Sequence, residues 1–342
     1  MQTIWKMLLL TAIALSVIVS EAWAEDYPKM KLRYASFLPE KMPNSKGDLF
    51  VATELTRRTN GRVQVEIYQG GTLGKVTEMI DLVGGGAIDL GNCGHGYSFA
   101  RLPMNAFFNA PMIYKNHEMA AKMSKLGYQT QKKVQEDMKK NNLHPFLFGA
   151  LTEYRLISKK PIRTLADFKG LKVRTFGAVN PKMFIKLGAV PVNLSFTEAY
   201  GALQKGTLDC VYLSWTGSYV LKLFEVAKYV SDVNFGAINS HLSYVNLDLW
   251  NSWPQNLKAL FNQISLEAEQ ITIKSVAEFD RKALEMMIAA GAELVHFREQ
   301  EQLEKAVPDP INLVAERVAS VGREYEVPAR QYAEFLREAL KK

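Results

Sequence analysis

Arg174 is the residue whose type and position best suit the binding of a small anion. It ends an apolar-polar alternation that begins at Leu171, and Phe176 and Gly177 follow it. Alternation with a period of two predicts a strand, so the guanidinium stands where a strand gives way to a loop. A guanidinium fork binds both oxygens of a carboxylate in one plane. We therefore predict that Arg174 holds an organic acid anion.

Rigid aromatic side chains and hydrogen-bond donors follow several other predicted strands, as expected of a small-molecule site. The first half of the chain supplies Phe37, His95 and Tyr97. The second half adds Arg155, Phe176, Tyr212, Trp215 and Phe235. The alternative for each aromatic residue is ordinary core packing, and for an isolated arginine it is a surface charge.

Patterns that would indicate catalysis are few. The chain has no Gly-x-Ser-x-Gly motif and no glycine-rich phosphate loop, and its five histidines lack metal-ligand spacing, so we expect neither a cofactor nor a metal. One enzymatic alternative rests on Cys93 and His95, which would lie on one face of a strand and could serve a secreted hydrolase or lyase. Cys93 and Cys210 each follow an apolar strand pattern with an Asp, which favours two free, buried thiols.

The N-terminus indicates export. An apolar stretch follows Lys6, and Ala22, Trp23 and Ala24 fit the small-x-small cleavage pattern, so residues 1–24 are predicted to be a cleaved signal peptide. The formal charge of the whole chain is +7, but its basic residues are interspersed with acidic ones, and we expect no nucleic-acid partner. The remaining length suffices for two domains.

Strand and helix patterns alternate through most of the chain. Strands are predicted at residues 30–35, 63–67, 87–90 and 171–174, with helical periodicity between them. This order favours α/β domains with parallel-rich sheets, whose ligands collect at the carboxyl ends of the strands. Residues 257–295 contain no Pro and predict one long helix, or two consecutive helices, able to span both domains.

Five segments together resemble the solute-binding subunits of tripartite ATP-independent periplasmic (TRAP) transporters, the DctP family. They are residues 59–65 (TNGRVQV), 73–74 (LG), 86–89 (GAID), 167–174 (DFKGLKVR) and 202–209 (ALQKGTLD). The resemblance implies a two-domain periplasmic-binding-protein-like fold, type II-like, with hinge strands and a long domain-spanning helix. It implies domain I at residues 25–152 plus about 240–280, and domain II at residues 153–239 plus about 281–342.

The resemblance also implies a function. A protein of this kind closes on an organic acid anion and delivers it to a sodium-driven membrane permease, with Arg174 as the carboxylate clamp and Arg155 as its helper. Residues 209–213 (DCVYL) lack the polar pattern of sialic-acid-binding members, and residues 212–215 (YLSW) bring no carboxylate for a metal-bridged ligand. We expect a monomer that binds a less polar acid, aromatic or branched. A sensor that signals to a membrane kinase is the other alternative.

Overall fold

Two β-sheets organise the molecule, each at the centre of one lobe. The computed structural model describes residues 27–307 and 309–341, so the predicted signal peptide at residues 1–24 lies outside the described part. The first lobe is built on a five-stranded sheet and the second on a six-stranded sheet. The predicted α/β architecture is confirmed.

The first sheet has the strand order β2-β1-β3-β10-β4. Its strands are β1 (Met30–Ala35), β2 (Val63–Tyr68), β3 (Leu90–Gly94), β4 (Leu143–Leu151) and β10 (Ile238–Asn246). β1 runs parallel to β2 and β3, whereas β10 runs antiparallel to β3 and β4. The three parallel strands therefore end at one edge of the sheet.

The second sheet has the order β11-β9-β5-β8-β6-β7. Its strands are β5 (Arg155–Ser158), β6 (Lys172–Thr175), β7 (Val190–Asn193), β8 (Cys210–Leu213), β9 (Tyr229–Ser231) and β11 (Glu293–Val295). β6 runs parallel to both β7 and β8. β5 lies antiparallel between β8 and β9.

Twelve α-helices are assigned within the described residues. They are α1 (Ser45–Arg58), α2 (Met79–Gly84), α3 (His117–Thr130), α4 (Lys132–Lys140), α5 (Asn180–Lys186), α6 (Ala199–Gln204), α7 (Trp215–Val220), α8 (Leu247–Ser252), α9 (Gln255–Ala289), α10 (Gln300–Ala306), α11 (Pro310–Ala319) and α12 (Arg323–Ala339). None of these helices is both long and apolar enough to cross a membrane.

Two extended segments join the lobes. β4 continues into β5, and β9 continues into β10, so the long antiparallel pair β4 and β10 leads from one sheet to the other. The connections are hydrogen-bonded to each other, from Tyr154 N to Gly236 O at 2.9 Å and from Phe235 N to Tyr154 O at 3.0 Å. These segments are the predicted hinge strands.

α9 is one continuous helix of 35 residues, about 52 Å long at 1.5 Å per residue. Phe261 and Ile264 pack in the core of the first lobe, whereas Val276 and Met287 pack in the core of the second. The predicted domain-spanning helix is confirmed. It ends before Gly291, whose φ of 94° requires a left-handed turn, and residues 293–295 form β11 instead of continuing the helix.

The C-terminal helices differ from the predicted division into domains. Leu303 of α10 packs in the core of the second lobe, but Val318 of α11 and Tyr332 of α12 pack against Phe107 and Phe108 of the first lobe. Residues 281–342 were assigned to domain II as one block because nothing in their amphipathic pattern says which lobe the apolar face covers. The other domain boundaries stay a prediction.

One strand also begins later than its pattern indicates. The prediction at residues 87–90 reaches only the first residue of β3, which pairs with β1 from Leu90 onward. Asp89 is instead used outside the sheet, where its carboxylate accepts the backbone N–H of Arg33 at 2.7 Å. Both cysteines are buried and free, as predicted.

Candidate functional site

The carboxyl ends of five parallel strands face one another across the space between the lobes. β1, β2 and β3 lead into the loops that carry Phe37, Gly70 and Tyr97, while β6 and β7 lead into those that carry Gly177 and Phe196. Ligands of α/β proteins bind outside the carboxyl ends of the strands. The cleft between the two lobes is therefore the candidate binding site.

A cavity of about 620 Å³ occupies this cleft, which is within the usual range for small-molecule sites. Both lobes line it. The lining residues are Phe37, Gly70, Gly71, Gly74, Lys75, Val76, Thr77, Gly96 and Tyr97 of the first lobe, and Gly177, Asn193, Leu194, Ser195, Phe196, Thr197 and Glu198 of the second. The wall is mixed, with three aromatic rings and several hydroxyl groups.

Arg174 lies behind this cavity and is only 1% exposed. Its Nε donates to Leu194 O at 3.0 Å and its Nη1 to Tyr212 O at 3.3 Å, both in its own lobe. Its Nη2 donates across the cleft to the Tyr97 hydroxyl at 2.8 Å. The guanidinium also lies 4.6 Å from the centre of the Phe176 ring. The side chain is thus held in one orientation by neutral groups.

The charge of Arg174 has no counterion among the described residues, because each of its hydrogen-bond acceptors is a carbonyl or hydroxyl oxygen. A buried cation without an anionic partner is costly. Three of the five guanidinium N–H groups are used, which leaves two for another acceptor. A carboxylate in the cleft would supply both the charge and the acceptor.

A buried carboxyl group holds the Phe37 loop in place. Asp48 of α1 accepts hydrogen bonds from Tyr34, Ser36, Asn92 and Ser243. Asn92 in turn accepts the backbone N–H of Phe37 at 2.9 Å. Burial raises the pKa of Asp48 to about 6, against the effect of its hydrogen-bond donors, which favour the charged form. The aromatic wall of the first lobe is therefore fixed from within its core.

Arg155 and Trp215 lie apart from the cavity. The Arg155 guanidinium stacks 4.2 Å from the centre of the Trp215 ring, donates from Nη1 to Asp232 O at 2.6 Å, and pairs with Glu153 at 3.8 Å. Neither residue lines the space that Arg174 lines. The structure does not bring Arg155 to Arg174 as the predicted helper, because Arg155 is already paired beside the hinge.

Three other predicted site residues are core residues. Tyr212 and Phe235 are 0% exposed, and their rings meet edge to face with centroids 5.4 Å apart. His95 is 2% exposed, and its Nε2 bonds to Asn239 Oδ1 at 2.5 Å. Of the nine predicted residues, four line the cleft or the space around Arg174: Phe37, Tyr97, Arg174 and Phe176.

Sequence reasoning missed several residues of the site. Phe196 meets Phe37 edge to face across the cleft, with centroids 6.0 Å apart, and Tyr154 lines the space around Arg174. Gly70, Gly71 and Lys75 line the cavity of about 620 Å³, which we call the outer cavity. The glycine-rich turn directly after β2 was a usable signal for that group, because it follows the same strand-end rule that identified Arg174.

The arrangement of Cys93 and His95 does not support the enzymatic alternative. The Cys93 thiol contacts Val76 O at 3.2 Å, whereas His95 bonds to Asn239, so the two are not hydrogen-bonded to each other. Burial raises the pKa of Cys93 to about 12 and lowers that of His95 to about 4. A nucleophilic cysteine needs the opposite shift of its thiol pKa. Among the described residues, no cluster of potential metal ligands occurs.

Two buried histidines should make stability depend on pH. Burial lowers the pKa of His95 to about 4 and that of His241 to about 3, against about 6.5 in an unfolded chain. The unfolded state therefore binds more protons between these values, and stability falls as pH drops below about 6.5. We expect each ring to cost about 2 kcal/mol of unfolding free energy on going from about pH 7.5 to about pH 5.

Urea denaturation at the two pH values measures this effect. Asp48 acts in the opposite direction, since its raised pKa stabilises the folded state as pH falls through about 6, so the comparison is made between variants. His95→Gln should reduce the loss between the two pH values by about 2 kcal/mol. Replacing the exposed His296 by Gln is the control. Equal pH dependence in wild type and His95→Gln would contradict the assignment.

The fold and the cleft define a class of protein. Two α/β lobes, joined by hinge strands and braced by one long helix, enclose a cavity at facing strand ends, as in two-domain periplasmic binding proteins. The chain belongs to the DctP family, bacterial extracellular solute-binding protein family 7, whose family model matches residues 34–309. The predicted resemblance is confirmed.

Two characterised relatives and one solved structure illustrate the similarity. The chain is 27% identical over 248 residues to the 2,3-diketo-L-gulonate-binding periplasmic protein YiaO of Escherichia coli K12, covering 70% of this chain and 73% of that protein. It is 26% identical to the C4-dicarboxylate-binding periplasmic protein DctP of Rhodobacter capsulatus, covering 84% and 86%. A TRAP periplasmic solute-binding protein from Bradyrhizobium sp. btai1 b, in complex with α/β-D-galacturonate, has the same fold, with a TM-score of 0.76, 18% identity, and 89% and 100% coverage.

Proposed function

We propose that this protein is the ligand receptor of a TRAP transporter and that it binds an organic acid anion between its lobes, with Arg174 as the carboxylate clamp. One observation carries this proposal. Arg174 is 1% exposed, lies at the cleft, and has only neutral acceptors among the described residues. A cation held in this way at a strand end suits a ligand that brings the missing negative charge.

The walls of the cleft favour a polar acid over the less polar one expected from the sequence. The residues that line the outer cavity include Thr77, Ser195 and Thr197, which carry hydroxyl groups, and the polar residues Lys75 and Asn193. Phe37, Tyr97 and Phe196 supply apolar surface on the same cavity. We therefore propose an acid whose far end carries hydroxyl or other polar groups, which is the chemistry of the acids named for the relatives above.

The clamp alone does not provide useful affinity. A charged hydrogen bond contributes about 1.5–3 kcal/mol, whereas micromolar binding needs roughly 8 kcal/mol. Burying about 150 Å² of apolar ligand surface would add roughly 4 kcal/mol at about 25 cal/mol per Å². That burial requires the walls of both lobes to contact the ligand, so closure of the hinge is part of the affinity.

Membership of the family supports a proposed place of action and a proposed partner. The relatives are periplasmic proteins, and we propose the periplasm for this chain, reached after removal of residues 1–24. A membrane permease of the TRAP type would receive the ligand, and the receptor would act as a monomer. Size-exclusion chromatography with light scattering tests the last point.

A thermal-shift screen tests the proposed ligand class. The acids are D-galacturonate, 2,3-diketo-L-gulonate, L-malate, pyruvate and phenylpyruvate, and D-galactose is the matched neutral control for D-galacturonate. An acid at 100 times its dissociation constant should add about 2.7 kcal/mol of stability. We expect at least one polar acid to raise the melting temperature and D-galactose to leave it unchanged. A response to D-galactose with none to any of the five acids would contradict the proposal.

A further inference from the structure

Two hydrogen-bond donors converge on the Tyr97 hydroxyl. Arg174 Nη2 donates to this oxygen at 2.8 Å, and the backbone N of Phe196 donates to it at 3.2 Å. Tyr97 belongs to the first lobe, whereas both donors belong to the second. One charged donor and one backbone donor aimed at a single oxygen form the kind of site that binds a carboxylate oxygen.

Tyr97 also separates Arg174 from the outer cavity. Arg174 lines an inner space of about 40 Å³, whereas it does not line the cavity of about 620 Å³. The two spaces share four residues, Phe37, Gly96, Tyr97 and Phe196. The inner space is far smaller than the roughly 300–1,000 Å³ of small-molecule pockets, so a whole organic acid does not fit there beside the Tyr97 ring.

We infer that the Tyr97 hydroxyl occupies the position of a ligand carboxylate oxygen, and that an acid reaches Arg174 by displacing it. The Phe196 backbone N–H then becomes a second ligand-binding group, next to the guanidinium. This inference rests on the proposed function. It adds that Tyr97 acts as a gate in front of Arg174, and it gives the position of one carboxylate oxygen of the ligand.

The contact can be exchanged without leaving donors unpaired. The hydrogen bonds to the Tyr97 hydroxyl and its ring stack on Phe176, with centroids 6.1 Å apart, all run between the lobes, so a movement of one lobe away from the other takes the hydroxyl from Arg174. A carboxylate oxygen can accept both hydrogen bonds at once, as the hydroxyl does, whereas an ammonium group cannot accept either. The internal contact therefore lowers the apparent affinity for every acid and also excludes cations from Arg174.

Tyr97→Phe tests the gate, with Tyr200→Phe as the matched control, because Tyr200 loses a hydroxyl hydrogen bond to Glu225 at the surface of the second lobe. The probe is the acid among D-galacturonate, 2,3-diketo-L-gulonate, L-malate, pyruvate and phenylpyruvate that most raises the wild-type melting temperature. Calorimetric titration should give a dissociation constant about tenfold lower for Tyr97→Phe, since its unliganded state has lost an acceptor for two donors. Tyr200→Phe should match wild type.

Hydrogen exchange at the Phe196 amide tests the same contact without a ligand. Exchange should be at least about tenfold faster in unliganded Tyr97→Phe than in wild type, and saturating probe acid should slow it again in both proteins. An unchanged dissociation constant, an unchanged exchange rate, or weaker binding by Tyr97→Phe would each overturn the inference. Weaker binding would mean that the hydroxyl stays in place and contacts the ligand.

Measurements on the same variants distinguish a failure of this inference from a failure of the proposed function. If no acid raises the melting temperature of wild type, the proposed function fails and the gate fails with it. If wild type binds an acid through Arg174 but Tyr97→Phe behaves like Tyr200→Phe, only the gate fails. Should Tyr97→Phe not fold, the tyrosine ring signals of wild type decide by NMR: Tyr97 must shift on adding the acid, and an unshifted signal overturns the inference.

Discussion

Arg174→Lys is expected to weaken carboxylate binding by about 100-fold or more. Lysine keeps the charge but replaces the planar fork by a single ammonium centre. The backbone oxygens of Leu194 and Tyr212 fix the guanidinium, and an ammonium group that satisfies them turns away from the cleft. Two charged hydrogen bonds to the ligand are worth about 3–6 kcal/mol together, which covers the expected loss.

Titration calorimetry of wild type and Arg174→Lys with the same acid measures this effect. Arg163→Lys is the matched control, since Arg163 is a 40% exposed arginine of the same lobe, paired with Glu293 at 3.7 Å. The control should bind within about twofold of wild type, because exposed ion pairs contribute little. Near wild-type affinity in Arg174→Lys would contradict the proposed role of Arg174 as the carboxylate clamp.

Gly149→Ala is expected to lower the unfolding free energy by about 3 kcal/mol. A Cβ at position 149 would lie 1.9 Å from Cε1 of His241 and 2.3 Å from its Nδ1. Gly149 and His241 lie on the paired strands β4 and β10, and His241 is 0% exposed, so the ring has no free space to enter. The His241 ring also meets Phe37 edge to face, with centroids 6.2 Å apart. The clash should therefore reach the wall of the cleft.

A double-mutant cycle isolates the clash. In a His241→Ala background the ring is absent, and Gly149→Ala should then cost less than about 1 kcal/mol, because alanine is favoured over glycine in a strand. Urea denaturation of the four proteins gives the coupling energy. An equal cost in both backgrounds would mean that the methyl group conflicts with something other than His241.

The position of Arg174 beside the cleft was predictable because the signal is local. A short alternating segment that ends in arginine and runs into a loop places the side chain at the carboxyl end of a strand, whatever the rest of the chain does. The β6 strand, Lys172–Thr175, lies where that pattern puts it. Tyr97 and Phe37 were found by the same rule, because each follows a strand of the first sheet.

Tyr212 and Phe235 were assigned to the site because the amino acids near them in the sequence do not determine the order of the strands in the sheet. β8 lies between β5 and β6, so Tyr212 is covered on all sides and packs among Tyr154, Phe176 and Phe184. Phe235 precedes β10 and joins the same cluster. An aromatic residue after a strand points to a site only when that strand end faces the cleft.

Arg155 shows a different limit of prediction from sequence, which concerns the partners of a side chain. It begins β5, opposite Leu213 of the antiparallel partner β8, so it stands at the amino end of its own strand. Its partners are Trp215, Asp232 and Glu153, which come from three different segments. Only the folded arrangement of the hinge brings these groups together, and they hold Arg155 away from the ligand cavity.

A crystal structure of the protein with a bound acid tests the role of Arg174 most directly. The acid is the one that gives the largest thermal shift in the screen. The account predicts a carboxylate oxygen within about 3 Å of a guanidinium nitrogen of Arg174, with the remainder of the acid in the cavity between the lobes. An acid bound in the cleft with its carboxylate turned away from Arg174, and Arg174 still bonded to Tyr97, would contradict it.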